Sequence, residues 1–234
     1  MLGGFLQSLN IKFGTFITKL LEDIITAEGT LQVVHQISGK FLPMEIEENC
    51  ERVIDEYVDN PPVGASKILA ELPKRVEGLY RKIFFYQQSP DGTFHKRTLD
   101  ANVFFKDEEG TCYYLEVKYN DDHDTGKFRD INRKFLKTYA GLIKLKGFKN
   151  QKEFKPILYY FNPSIRYNPN PYLREHIEIL RGKEFFEKFN LTIPYEEVET
   201  ALNKLGETLE PTFDKFREKI FRLVKEQQNQ STLF

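Results

Sequence analysis

The chain has 234 residues, 35 acidic and 34 basic side chains, a formal net charge of −1 and two cysteines. That length suffices for a substantial core in one large domain, or in one domain with a helical extension. Cys50 and Cys112 fit no C-x-x-C spacing, which argues against a disulfide scaffold or a thiolate metal motif and predicts free thiols in the reducing cytoplasm.

The first segment, MLGGFLQSLNIKFGTFITKLLEDIIT, is apolar but interrupted by Lys12, Lys19 and Glu22, and it lacks a basic head and a small-residue cleavage site. It reads as an amphipathic helix over 5–26, neither a signal peptide nor a membrane span. Phe5, Leu6, Leu9, Phe13, Phe16, Ile17, Leu20 and Leu21 give it more apolar surface than one helix face needs. A second helix is predicted over 45–58, where Ile46, Cys50, Val53, Ile54 and Tyr57 recur at three- and four-residue steps. Residues 1–60 are thus expected to be a helical N-terminal region, a candidate subdomain, ended by Pro61-Pro62. Residues 61–234 would then hold the core and its C-terminal helices.

Short helices over 64–71 and 74–83, divided near Pro73, lead into strand-like runs: KRTLDANVFF, TCYYLEVKY and KPILYYFN. A helix around 128–145 separates the second run from the third. NPSIRYNPNPY reads as a surface loop, either a recognition loop or a connection, with helices expected over 172–189, 195–206 and 211–227. The fold class is α/β, a small mixed sheet flanked by helices, with helices added at both ends.

Charge is segregated along the chain. Residues 45–59 carry seven acids against Arg52 alone, a balance of −6, and residues 127–155 carry ten bases against Asp130 and Glu153, a balance of +8. A local basic stripe can engage a polyanion although the whole chain is near neutral, and a solvated charged face is the plainer reading.

Alternation in GTCYYLEVKY puts Tyr114, Glu116 and Lys118 on one strand face. In TLDANVFF, Asp100 lies opposite the small apolar set. With a turn near Glu108, antiparallel pairing sets Asp100 opposite Glu116, with Cβ atoms about 5 Å apart. Two such carboxylates repel unless a proton or cation lies between them. Hard oxygen ligands without histidine or thiolate suit Mg²⁺.

Asp100, a gap of fifteen residues, then Glu116-Val117-Lys118 on a strand followed by a helix resembles the PD-(D/E)xK nuclease superfamily, in particular type II restriction endonucleases. LEVKYNDDHDTGKFRDINRKFLKTYAGL and ILRGKEFF are similar to the TdeIII-like subgroup, which cuts short interrupted palindromes. Leu99 replaces the motif's proline. The resemblance covers about residues 70–190 and implies a restriction-endonuclease-like core. It further implies Mg²⁺-dependent, sequence-specific cleavage of double-stranded DNA at a palindromic or interrupted palindromic site, GGNCC-like as one form, leaving 5′-phosphate and 3′-hydroxyl ends. Asp100, Glu116 and the Val117 main-chain carbonyl would hold the metal, and Lys118 would position water or stabilise developing charge. Glu77 is the candidate for an added metal-bridging glutamate, with Glu71 its rival and an ordinary surface role the plainer reading.

Arg133, Lys134 and Lys137 on the following helix are expected to contact phosphates. Arg181 and Lys183 either read guanine in the major groove or flank a helix end. Tyr159, Tyr160 and Phe161 read as core strand before base-stacking platform. NDDHDTG is a poor match to a calcium loop, and His123 reads as a solvated loop residue. Expected partners are duplex DNA, a second copy of the chain, since one active site cuts one strand, and a methyltransferase acting on the same site without stable binding. The alternatives are a structure-selective or repair nuclease on the same core, and a DNA-binding protein with a vestigial metal site.

Overall fold

The N-terminal helix forms where its periodicity predicts it. In α1 (Leu2–Ala27) the buried side chains Ile17, Leu21, Ile24 and Ile25 follow helical spacing, whereas Phe13 and Phe16 remain exposed. The computed structural model describes residues 2–121, 125–166 and 168–208 and positions 211, 215, 218 and 219, with side chains from Lys12 onward. The side chains of Phe5, Leu6 and Leu9, together with His123 and most of the helix expected over 211–227, lie outside that description. Residues 1–191 form one unit and residues 192–234 a second, in which 195–208 are helical.

The N-terminal region also contains strands. After β1 (Leu31–Val33), residues expected to begin a helix extend instead as β2 (Lys40–Glu47), and α2 (Glu48–Asp59) follows. Met44 and Ile46 alternate inward with period two, and this overrides the helical spacing that overlaps it. Glu47 ends the strand and caps α2 by accepting the Cys50 N–H at 2.9 Å. The predicted pair of helices split at Pro73 is one helix, α3 (Ala65–Gln87). Pro73 and Leu69, whose carbonyl loses its helical donor, are both solvent-exposed, so water can satisfy that carbonyl.

The expected order of strand, strand, helix and strand is present as β3 (Phe94–Ala101) and β4 (Val103–Asp107), β5 (Cys112–Lys118), α4 (Thr125–Lys146) and β6 (Phe154–Tyr160). The first strand run is broken at Asn102, so β3 pairs with β2 in a separate two-stranded sheet. Among the described residues the main sheet has five strands in the order β1-β4-β5-β6-β7, where β7 is Ile179–Arg181. β1, β4 and β5 are antiparallel neighbours, while β5, β6 and β7 run parallel. The parallel β5/β6 pair requires a crossover, which α4 supplies. The helix expected over 172–189 is instead a loop, β7 and the short α5 (Lys183–Lys188). Ile179 and Leu180 gain burial by pairing with Leu158 and Tyr159.

α4 buries Phe128, Phe135, Leu136, Tyr139, Leu142 and Ile143. Its approach to β2 depends on Gly141: a Cβ there would lie 2.7 Å from the Met44 Cβ. Gln87 fastens three elements, donating to the main-chain oxygens of Ala140 at 2.6 Å and Glu45 at 3.1 Å and accepting from the Glu47 N–H at 2.8 Å. These contacts fix the face of α4 that meets the carboxyl end of β5. Cys50 and Cys112 are free thiols. Among the described residues no helix is long and apolar enough to cross a membrane.

Candidate active site

The β4/β5 register is set by Val103 opposite Leu115 and Lys106 opposite Cys112, one residue away from the turn centre expected at Glu108. Continued past β4, that register brings Asn102, not Asp100, to Glu116. Asn102 exploits this place: its Oδ1 accepts the Val117 N–H at 2.9 Å, and its Nδ2 donates to Asp100 Oδ2 at 3.2 Å. Although β3 belongs to the other sheet, Asn102 and Lys134 tie Asp100 to the end of β5. Asp100 therefore still reaches the centre from the end of β3.

Glu116 is 1 % exposed, and its carboxylate is enclosed by donors. Tyr114 donates to Oε2 at 2.6 Å, while Lys118 and Lys134 donate to Oε1 at 2.7 and 3.0 Å. The Lys134 ammonium also lies 2.7 Å from Asp100 Oδ1. Burial pushes the Glu116 carboxyl upward, but the two lysines and the Tyr114 hydroxyl outweigh it and hold the group below its ordinary value. Burial likewise disfavours the Lys134 ammonium, which Glu116 and Asp100 more than offset, so its pKa is raised. The two carboxylates meet at one cation.

That donor set fits a hard divalent metal. Two carboxylate oxygens within reach of a single ammonium, with no imidazole or thiolate among them, offer the ligands such an ion prefers. Among the described residues no group of three or more His, Cys, Asp or Glu side chains assembles. Glu77 on α3 pairs with Arg174 at 3.6 Å and Glu71 pairs with Lys67 at 4.0 Å, so the structure brings neither into this carboxylate pair.

The residues expected at DNA have other immediate partners. Arg133 donates to Asp55 at 3.0 Å, to Asp59 at 2.5 Å and to Asp130 at 3.1 Å. Lys137 donates to Glu51 at 2.9 Å and Asp55 at 3.0 Å. The basic stripe on α4 is thus matched against the acidic face of α2. Arg181 is 4 % exposed, stacked over the Tyr160 ring and paired with Asp121 at 2.9 Å and Glu175 at 3.0 Å. It also donates to the Ser164 carbonyl at 3.0 Å, and Asp121 accepts the Arg166 N–H at 3.1 Å. Arg181 therefore ties the segments after β5 and β6 to β7. Lys183 pairs on the surface with Glu187 at 2.9 Å. Tyr159, Tyr160 and Phe161 are buried as core.

Sequence reasoning missed Asn102 as a positioning group, although its parity with Asp100 was visible. It assigned Lys134 to phosphate and missed its place between the two carboxylates.

A five-stranded mixed sheet flanked by helices, with an acid-X-lysine strand at its centre, has the architecture of a restriction-endonuclease-like core. The HinfI type II restriction endonuclease family model matches residues 1–206. The chain is 38 % identical over 209 residues to the type II restriction enzyme HinfI of Haemophilus influenzae, covering 88 % of this chain and 75 % of that protein. No solved structure matches. The chain belongs to the HinfI type II restriction endonuclease family and is a site-specific deoxyribonuclease. Enzymes of this class act on DNA and generally use a divalent metal.

Proposed function

We propose that this endonuclease cuts both strands of a short palindromic or interrupted palindromic DNA site in a Mg²⁺-dependent reaction, leaving 5′-phosphate and 3′-hydroxyl ends. The observation that carries the reading is the meeting of Asp100 and Glu116 at one cation, with Lys118 on the same Glu116 oxygen. Asp100, Glu116 and the Val117 carbonyl would hold the ion, which supplies Lewis-acid polarisation of the scissile phosphate and a bound water of lowered pKa. Lys118 holds the Glu116 carboxylate in place and presents its ammonium where charge develops on the phosphate. Tyr114 fixes the other Glu116 oxygen, so the carboxylate cannot rotate away. Asn102 holds Asp100 to the end of β5.

For DNA contact, Lys183 is the most accessible of the proposed residues, because an exposed i,i+4 pair with Glu187 exchanges readily for a phosphate or base. Arg133 and Lys137 would reach a phosphate only by giving up the α2 carboxylates. Arg181 would act by holding the chain around Ser164 and Arg166 at the carboxyl ends of β5 and β6. A homodimer is the simplest way to cut both strands, and the exposed pair Phe13 and Phe16 on α1, with Tyr119 edge-on to Phe13 at 4.9 Å, offers it an apolar contact. A methyltransferase of the same specificity would protect host DNA. In the cytoplasm these three would share one substrate.

Digestion of plasmid and phage DNA with Mg²⁺, with and without chelator, tests this reading. Discrete fragments that vanish with chelator support it, and end-mapping then gives the site, including whether it is GGNCC-like. Smears would point to unspecific cutting, and discrete fragments that persist in chelator would contradict the metal dependence.

A further inference from the structure

We propose that Lys134 is an internal counter-ion of the catalytic centre, which occupies the space between Asp100 and Glu116 and restrains metal loading until DNA is bound. The inference rests on the assignment of Asp100 and Glu116 as metal ligands. Its basis is the contact of one ammonium with both carboxylates, at 2.7 and 3.0 Å.

Charge gives the consequence. Asp100 and Glu116 are balanced by Lys118 and Lys134, so the four side chains sum to zero. A divalent ion entering among them must displace the Lys134 ammonium from its two oxygens, and it leaves the centre with two uncompensated positive charges. At the few-ångström separations involved that is costly in a partly buried site. A phosphodiester brought against the same centre returns negative charge and lowers the cost. Metal and DNA therefore favour each other's binding, and linkage requires the effect to be mutual.

The placement of Lys134 follows from the packing of α4 and not from local strand geometry. Phe135 and Leu136 are buried and anchor this turn of the helix, which directs Lys134 to the end of β5, while Arg133 and Lys137 turn to the α2 acids. The three bases of one stripe thus divide between two tasks, and only Lys134 meets the catalytic carboxylates. Lys118 cannot substitute for it, because Lys118 pairs with Glu116 and does not bridge to Asp100.

The test is titration of the chelator-treated full chain with Mn²⁺ alone, by calorimetry or by the electron paramagnetic resonance of the free ion, without DNA. Lys134→Met should tighten Mn²⁺ binding by about tenfold or more, and should show a larger metal-induced rise in melting temperature than the wild type. Lys134→Gln provides the same reading if Lys134→Met fails to fold. Binding at wild-type affinity or weaker in the folded variant would overturn the role of Lys134. Asp100→Asn separates this from the underlying assignment. If Asp100→Asn is inactive and loses Mn²⁺ while Lys134→Met is unchanged, only the counter-ion role fails; if Asp100→Asn cleaves as wild type, the metal site itself is misplaced.

Discussion

The side-chain carbonyl of Asn102 accepts the main-chain N–H of Val117 at 2.9 Å, so a side chain continues the β4/β5 ladder where the backbone has turned away into β3. The same amide donates to Asp100, which ties the two halves of the proposed metal site together. Asn102→Ala should cost about 1–3 kcal/mol by leaving the Val117 N–H unpaired, and should slow single-turnover cleavage. Asn102→Asp keeps an acceptor for Val117 but places a second carboxylate against Asp100, so it should slow cleavage further than its effect on melting suggests. Melting curves and single-turnover rates for both variants check this, and normal rates in both would remove Asn102 from the positioning of Asp100.

The central strands were legible because their signals are local. Alternation in GTCYYLEVKY defines β5, and the face it assigns to Glu116 and Lys118 does not depend on the β4/β5 pairing, which lies two residues from the expected one; Asp100 still meets Glu116 through Lys134. Charge segregation was legible too, but not its use. The acidic 45–59 segment and the basic 127–155 segment face each other through Arg133 and Lys137, across separations of 78 and 82 residues in their contacts with Asp55. Nothing local distinguishes a stripe that waits for phosphate from one already matched to α2. β2 was hidden for a similar reason: Ile46 belongs to the inward face of a strand and also fits the helical spacing that begins at Cys50.

Arg181 should prove to be a positioning residue. Its removal leaves Asp121, itself 3 % exposed, without its buried partner, which typically costs about 3–5 kcal/mol. Arg181→Ala is expected to lower the melting temperature markedly and to weaken binding to cognate and random duplexes alike. Competition binding at a temperature where the variant is folded provides the check. A selective loss at the cognate site with unchanged stability would instead make Arg181 a base reader.

Gly141 permits α4 to lie against β2. Gly141→Ala would press its methyl into Met44, and overpacking of this kind costs about 1–3 kcal/mol. Because α4 carries Lys134, the variant should also alter Mn²⁺ affinity. Pairing it with Met44→Ala should restore part of both, as a double-mutant cycle will show; additive losses would mean that the contact is not limiting.

The α2/α4 ion network predicts a pH dependence. Burial raises the Glu51 carboxyl, but hydrogen bonds from Arg97, Lys137 and His95 outweigh it and bring the group from 4.5 down to about 2. A carboxyl depressed in the folded state contributes stability that is fully present above its unfolded value and is lost as pH falls through the folded one. Urea midpoints should therefore fall as pH is lowered from about 4.5 to 2, and Glu51→Gln should flatten that decline. Glu116, also held below its ordinary value, contributes in the same direction, so the decline should not vanish. An identical slope in Glu51→Gln would show that the network adds nothing.

The most direct measurement is cleavage by Glu116→Gln and Asp100→Asn in Mg²⁺, alongside their binding to the same duplex in Ca²⁺ or without metal. Both substitutions keep the shape of the side chain and remove the charge. If these carboxylates hold the metal, cleavage should fall by at least about a thousandfold, while duplex binding is retained or strengthened by the loss of negative charge near the phosphate. Cleavage near the wild-type rate by either folded variant would contradict the assignment of the active site.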